Sequence, residues 1–81
     1  SDALYSYEIA TEKLEVKQNE LDAYDLATGY SEELLENGLA NYLEVLTARE
    51  NALNSSLDLI NTRYNQLQAI VNLYSALGGG W

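Results

Sequence analysis

Leu39, Leu46, Leu53, Ile60, Leu67 and Tyr74 recur at unbroken seven-residue spacing, and no other feature of this chain limits its fold so tightly. Interleaved with them, four residues on, lie Leu43, Glu50, Leu57, Tyr64 and Val71. Read as heptads, the first set occupies d and the second a, with Glu50 the polar intruder. Apolar residues at this period share one face of an α-helix, so the pattern predicts a coiled-coil-like helix over about residues 42–77. A second stripe runs through Val45, Ala48, Ala52, Leu59, Ala69 and Leu73. A helix with two apolar stripes needs neighbours on two sides, as in a layer or barrel of helices.

The first half carries the same period more weakly. Tyr7, Leu14, Leu21, Thr28 and Leu35 repeat at seven, flanked by Ala3, Ala10, Lys17 and Tyr24. Ile9, Val16, Ala23 and Tyr30 form its second stripe. The chain has no proline, and its Gly78-Gly79-Gly80 cluster sits at the end, so nothing but Gly29 interrupts this arm. Glycine costs about 1 kcal/mol relative to alanine inside a helix. It either marks a break, with Ser31 capping a short new helix ahead of Glu32 and Glu33, or, as we favour, leaves a locally weakened but continuous helix.

Between the arms lies Asn37-Gly38-Leu39-Ala40-Asn41. Gly38 suits the left-handed residue that ends a helix, Asn41 can cap the next one, and Glu44 three residues later completes a capping-box pair. A connection this short forces the arms antiparallel. The expected fold is therefore all-α: a long antiparallel two-helix coiled-coil hairpin. Its parts are a first helix over 1–37, a tip turn at 38–41, a second helix over 42–77 and a glycine-rich exit at 78–81.

Charge restricts the partners. Thirteen acids against four bases leave a net charge of −9, which disfavours nucleic acid and anionic membrane surfaces. The excess is uneven: residues 1–37 hold ten acids and two bases, residues 38–81 three and two. No apolar run approaches the roughly 18 residues of a membrane span. With neither cysteine nor histidine, disulfides and the common zinc sites are excluded, as are the usual general base and the strongest nucleophile. Glu8/Glu12 and Glu32/Glu36 share helix faces and could touch a hard cation, but solvated charge accounts for them better. Neither an enzyme, a cofactor nor a metal site is expected. Asn54-Ser55-Ser56 matches a glycosylation sequon but falls in mid-helix.

Two segments carry a family resemblance. Gly38-Leu39-Ala40-Asn41-Tyr42-Leu43-Glu44-Val45-Leu46-Thr47-Ala48-Arg49 resembles the periplasmic tip of TolC-like outer-membrane efflux proteins, where a glycine turn leads into a "YLDVLDAQR"-like helix start. Ala76-Leu77-Gly78-Gly79-Gly80-Trp81 is similar to the "ALGGGW" ending of the last long helix in the OprM and CusC branch. Arg63-Tyr64-Asn65-Gln66-Leu67 and Leu73-Tyr74-Ser75 fit the stretch between. The resemblance covers essentially the whole chain.

It implies a fragment: the second, inner hairpin of a trimeric Gram-negative outer-membrane channel, in the part that crosses the periplasm. The tip would help close the channel entrance and would meet a periplasmic adaptor (membrane fusion) protein, and through it an inner-membrane pump. By resemblance, Gly38, Leu39, Ala40, Asn41 and Tyr42 are candidates for adaptor contact. Glu44 matches an acid facing the pore near its constriction. Thr47 stands where the family's second acid lies, Leu35 where many members have tyrosine, and Ala40 where some have arginine, which thins any polar lock. A plain coiled-coil interaction module, such as an adaptor α-hairpin, would share the heptads but not the ending. Alone, the hairpin leaves one stripe uncovered and should self-associate, for instance as a four-helix bundle.

Overall fold

A computed structural model describes residues 2–78. Two helices of 35 residues each account for most of them: α1, Asp2–Glu36, and α2, Tyr42–Ala76. They pair as an all-α antiparallel hairpin, a rod measuring 63 × 15 × 15 Å. Of the glycine-rich exit, residues 79–81 lie outside the described residues.

α1 runs through Gly29 without a break. A methyl group added there would meet nothing within 4 Å, so no packing demands a glycine at that position. Hydroxyl side chains within the helix are satisfied locally: Thr11 and Thr28 each donate to a carbonyl one turn back, those of Tyr7 and Tyr24, at 2.9 Å. Such back-bonding lets threonine sit in a helix without an orphaned polar group.

The seam between the helices is not the strong heptad stripe. α1 contributes Ala3, Tyr7, Ala10, Leu14, Lys17, Leu21, Thr28 and Leu35 from the first of its two repeats, together with Ser31, all buried or half-buried, whereas Tyr24 of that repeat is exposed. α2 answers with Val45, Ala48, Ala52, Ser55, Leu59, Thr62, Gln66, Ala69 and Leu73, which are likewise buried or half-buried. This is the weaker apolar stripe of α2, filled out by small and hydroxyl residues. Leu43, Leu53, Leu57, Ile60, Tyr64, Leu67 and Val71 lie nearly opposite, each more than half exposed. Small side chains let two backbones approach closely, so the alanine-rich stripe suits a single tight partner, while the leucine stripe needs a second one.

The enclosed core is correspondingly thin. Ala10, Val45 and Ala69 are its buried apolar residues, and Val45 alone among the described residues is a large side chain with no exposure. Ser55 Oγ is buried at the seam without a hydrogen-bond partner. A hydroxyl left this way costs about 1–3 kcal/mol, so small size rather than polarity explains a serine there.

Candidate functional site

The turn is built by local chemistry at both ends. Gly38 adopts φ 70°, and α1 closes on it in two bonds: the Gly38 N–H donates to Leu35 O at 3.0 Å, and the Leu39 N–H to Leu34 O at 2.8 Å. This is the Schellman pattern, which needs a left-handed residue after the helix. Asn37 adds a side-chain bond from Nδ2 to Glu33 O at 2.8 Å. Asn41 then starts α2: its Oδ1 accepts from the Glu44 N–H at 3.0 Å, while the Asn41 N–H donates to Glu44 Oε2 at 3.3 Å. The capping box is complete, so Glu44 is tied to the turn and its charge lies at the positive end of the α2 dipole.

These bonds hold the turn while exposing its apolar groups. Leu39 is 74 % exposed, and Tyr42 and Leu43 beside it are also mostly in water. Ala40 is half-buried, and Glu44 and Thr47 are both exposed. Gly38→Val should cost about 1–2 kcal/mol through backbone strain alone, since no atom crowds a Cβ there. Asn41→Ala should cost about 1 kcal/mol through the lost cap. Faster hydrogen exchange at residues 42–45 in both variants is the expected readout.

Behind the tip the hairpin has two unlike polar faces. On one, Glu44 and Thr47 begin a stripe that continues through Asn51, Asn54, Asp58, Asn61 and Asn65. It goes on through Gln68, Asn72 and Ser75, and every member is exposed. Lys17, Glu20, Asn51, Asn54 and Asp58 line one shallow groove of about 530 Å³ on this side. Lys13, Lys17, Asn65, Gln68 and Asn72 line the next, of about 710 Å³. Lys17 Nζ bridges to Asp58 Oδ2 at 2.7 Å across the helices and to Glu20 Oε2 at 3.4 Å within α1. The hydrogen bond that Lys17 donates to Asp58, then the nearby carboxylate charges, hold the lysine above its usual pKa.

The other face is acidic: Glu8, Glu15, Asp22, Asp25, Glu32 and Glu36 of α1 fall there at helical spacing, against Arg49 and Arg63 of α2. Glu15 and Gln18 of α1 share a groove there with Arg63 of α2. Nearer the tip, Arg49 donates from Nε and Nη2 to Glu32 Oε1 at 3.2 and 3.1 Å. Among the described residues, acids do not gather in the groups of three that could hold a metal ion. Nor is any helix among them long and apolar enough to cross a membrane.

The inter-helix pairs Lys17–Asp58 and Arg49–Glu32 could not be read from spacing along one helix. The amide stripe could have been. Five asparagines at helical spacing each cost up to about 0.7 kcal/mol relative to alanine, a penalty that mere solubility does not require.

Comparison with known proteins points one way. The family model described as outer membrane efflux protein matches residues 1–79. The chain is 30 % identical over its full length to a probable outer membrane lipoprotein, SilC, of Salmonella typhimurium, covering 18 % of that protein. It is 37 % identical over 65 residues, 79 % of the chain, to the solvent efflux pump outer membrane protein SrpC of Pseudomonas putida, covering 14 % of it. To the cation efflux system protein CusC of Escherichia coli it is 28 % identical over its full length, again covering 18 %. The chain thus spans less than a fifth of these relatives. No solved structure shows a significant match.

Proposed function

The chain belongs to the outer membrane efflux protein family, and from that membership we propose that it forms part of an efflux channel: the hairpin whose turn is the periplasmic tip. In this reading the parent protein is a homotrimer anchored in the outer membrane. α1 descends the tunnel wall, α2 ascends it, and the turn both narrows the entrance and docks a periplasmic adaptor protein that leads to an inner-membrane pump. The role is conduction rather than catalysis.

The observation that carries this reading is the turn. Two capping motifs lock four residues at the end of a 63 Å rod, and the locked turn holds Leu39 and Tyr42 out in water. Rigid presentation of apolar groups suits a docking tip, because little conformational entropy is lost on binding. In this reading Glu44, in the first turn of α2, and Thr47, in the second, face the passage. Glu44 serves as cap and pore-facing charge together. Opening would swing the hairpin outward from its neighbours, and adaptor binding drives that only by preferring the open arrangement. The generic coiled-coil reading loses ground because the relatives named above are outer membrane or efflux components.

Removing Gly38–Asn41 from the full-length protein should abolish export and adaptor crosslinking. Leu39→Asp keeps both caps and so separates lost contact from a lost turn. Burial of one leucine is worth about 1.5–3 kcal/mol, so crosslinking at limiting adaptor should fall about tenfold or more. Unchanged crosslinking in both variants would refute docking at this turn.

A further inference from the structure

Both outer edges of the hairpin carry exposed apolar residues. α2 shows Leu53, Leu57 and Ile60, and α1 shows Val16, Leu26 and Tyr30. Neighbouring helices in an assembled wall would cover those edges, leaving two faces in contact with water: the acidic one and the amide one. One must turn inward and the other outward. The amide stripe begins at Glu44 and Thr47, which the proposed function turns toward the passage, so the amide face belongs inside and the acidic face outside.

We propose that the amide face lines the passage and that its wall is held close to neutral, so that solutes pass this segment by hydrogen bonding rather than by charge selection. This inference rests on the reading of the chain as a tunnel segment. Between Thr47 and Ser75 the stripe offers Asn51, Asn54, Asn61, Asn65, Gln68 and Asn72, whose side chains both donate and accept. Its single carboxylate, Asp58, is cancelled by Lys17 from the other helix at 2.7 Å. Glu20 beside it shares the same lysine, and Lys13 lines the adjoining groove, so the charges on this face balance. Asparagine is a poor helix former, and glutamate or lysine would keep the face soluble and strengthen the helix. A neutral amide at each of these positions selects against charge. Such a wall suits uncharged or weakly charged amphiphilic solutes, and leaves fixed charge to Glu44 near the entrance.

The test uses the full-length channel in planar bilayers. A charged methanethiosulfonate reagent should reduce the conductance of the Asn61→Cys variant and leave that of Glu15→Cys unchanged. Lys17→Met, which uncovers Asp58, should raise the cation-to-anion permeability ratio about twofold, and adding Asp58→Asn should restore it. Asn61→Asp, at an exposed position, should raise the ratio similarly without touching the seam. Reduced conductance at Glu15→Cys in place of Asn61→Cys would overturn the face assignment. Reduction at Asn61→Cys with unaltered selectivity in Lys17→Met and Asn61→Asp would overturn the neutral wall alone. If neither cysteine variant responds, the tunnel reading itself fails and the inference with it.

Discussion

Replacing Leu53, Ile60 and Leu67 together by glutamate should turn the isolated chain from an associating helical rod into a monomer that has lost most of its helicity. These side chains lie on the exposed stripe of α2, at 60 %, 62 % and 52 % accessibility, so a purely intrachain hairpin would barely register the change. The chain's own core is too thin for that independence. Its buried apolar residues are Ala10, Val45 and Ala69, and a helix of this length is marginal in water unless an amphipathic face is covered. Covering the leucine stripe with a second copy buries each large aliphatic for about 1.5–3 kcal/mol. Losing three of them removes several powers of ten in association constant. Sedimentation should show the parent chain growing with concentration and the variant staying monomeric, with circular dichroism falling in parallel. Asn54→Glu with Asn61→Glu, on the amide face, should leave association intact. A parent chain that remains monomeric at high concentration would sink this expectation.

Val45→Asp should open the tip end of the hairpin. Val45 has no exposure and is covered by α1 just one turn behind the cap, so an aspartate there would be buried without a partner. Burying an unpaired charge costs about 3 kcal/mol or more, and the seam has little surplus with which to absorb it. Hydrogen exchange followed by mass spectrometry should show protection lost first around residues 31–36 and 42–48. Val45→Ile, which keeps the apolar contact, should retain that protection. In the full-length protein the same substitution should also reduce adaptor crosslinking, because a frayed tip no longer presents Leu39 in one geometry. Protection that survives Val45→Asp would mean the turn motifs hold the tip without the seam.

Much of this molecule is legible without coordinates. The heptads of the second half, the absence of proline and the run Gly38–Asn41 are sufficient for two long helices and a short turn. Each signal is local: a helix period is set by 3.6 residues per turn, a left-handed position by glycine, and a cap by a side chain reaching its own backbone. The family was legible too, from residues 38–49 and the run that begins at Ala76. What could not be read was which stripe meets which helix. Two apolar stripes of equal period are equivalent to any pattern analysis, and the leucine stripe is the stronger of the two. Tertiary packing decided for the alanine-rich one, because Ala48, Ala52, Ser55 and Ala69 let α1 approach closely while bulky leucines hold a partner further off. The same decision fixed the polar contacts. Once that seam was chosen, Lys17 stood opposite Asp58 and Glu32 opposite Arg49, and the asparagines became one continuous exposed face. The sequence by itself determined the rod, its turn and its kinship, since those depend on neighbours along the chain. Only the tertiary structure determined its sides, since those depend on the angle at which one helix meets another.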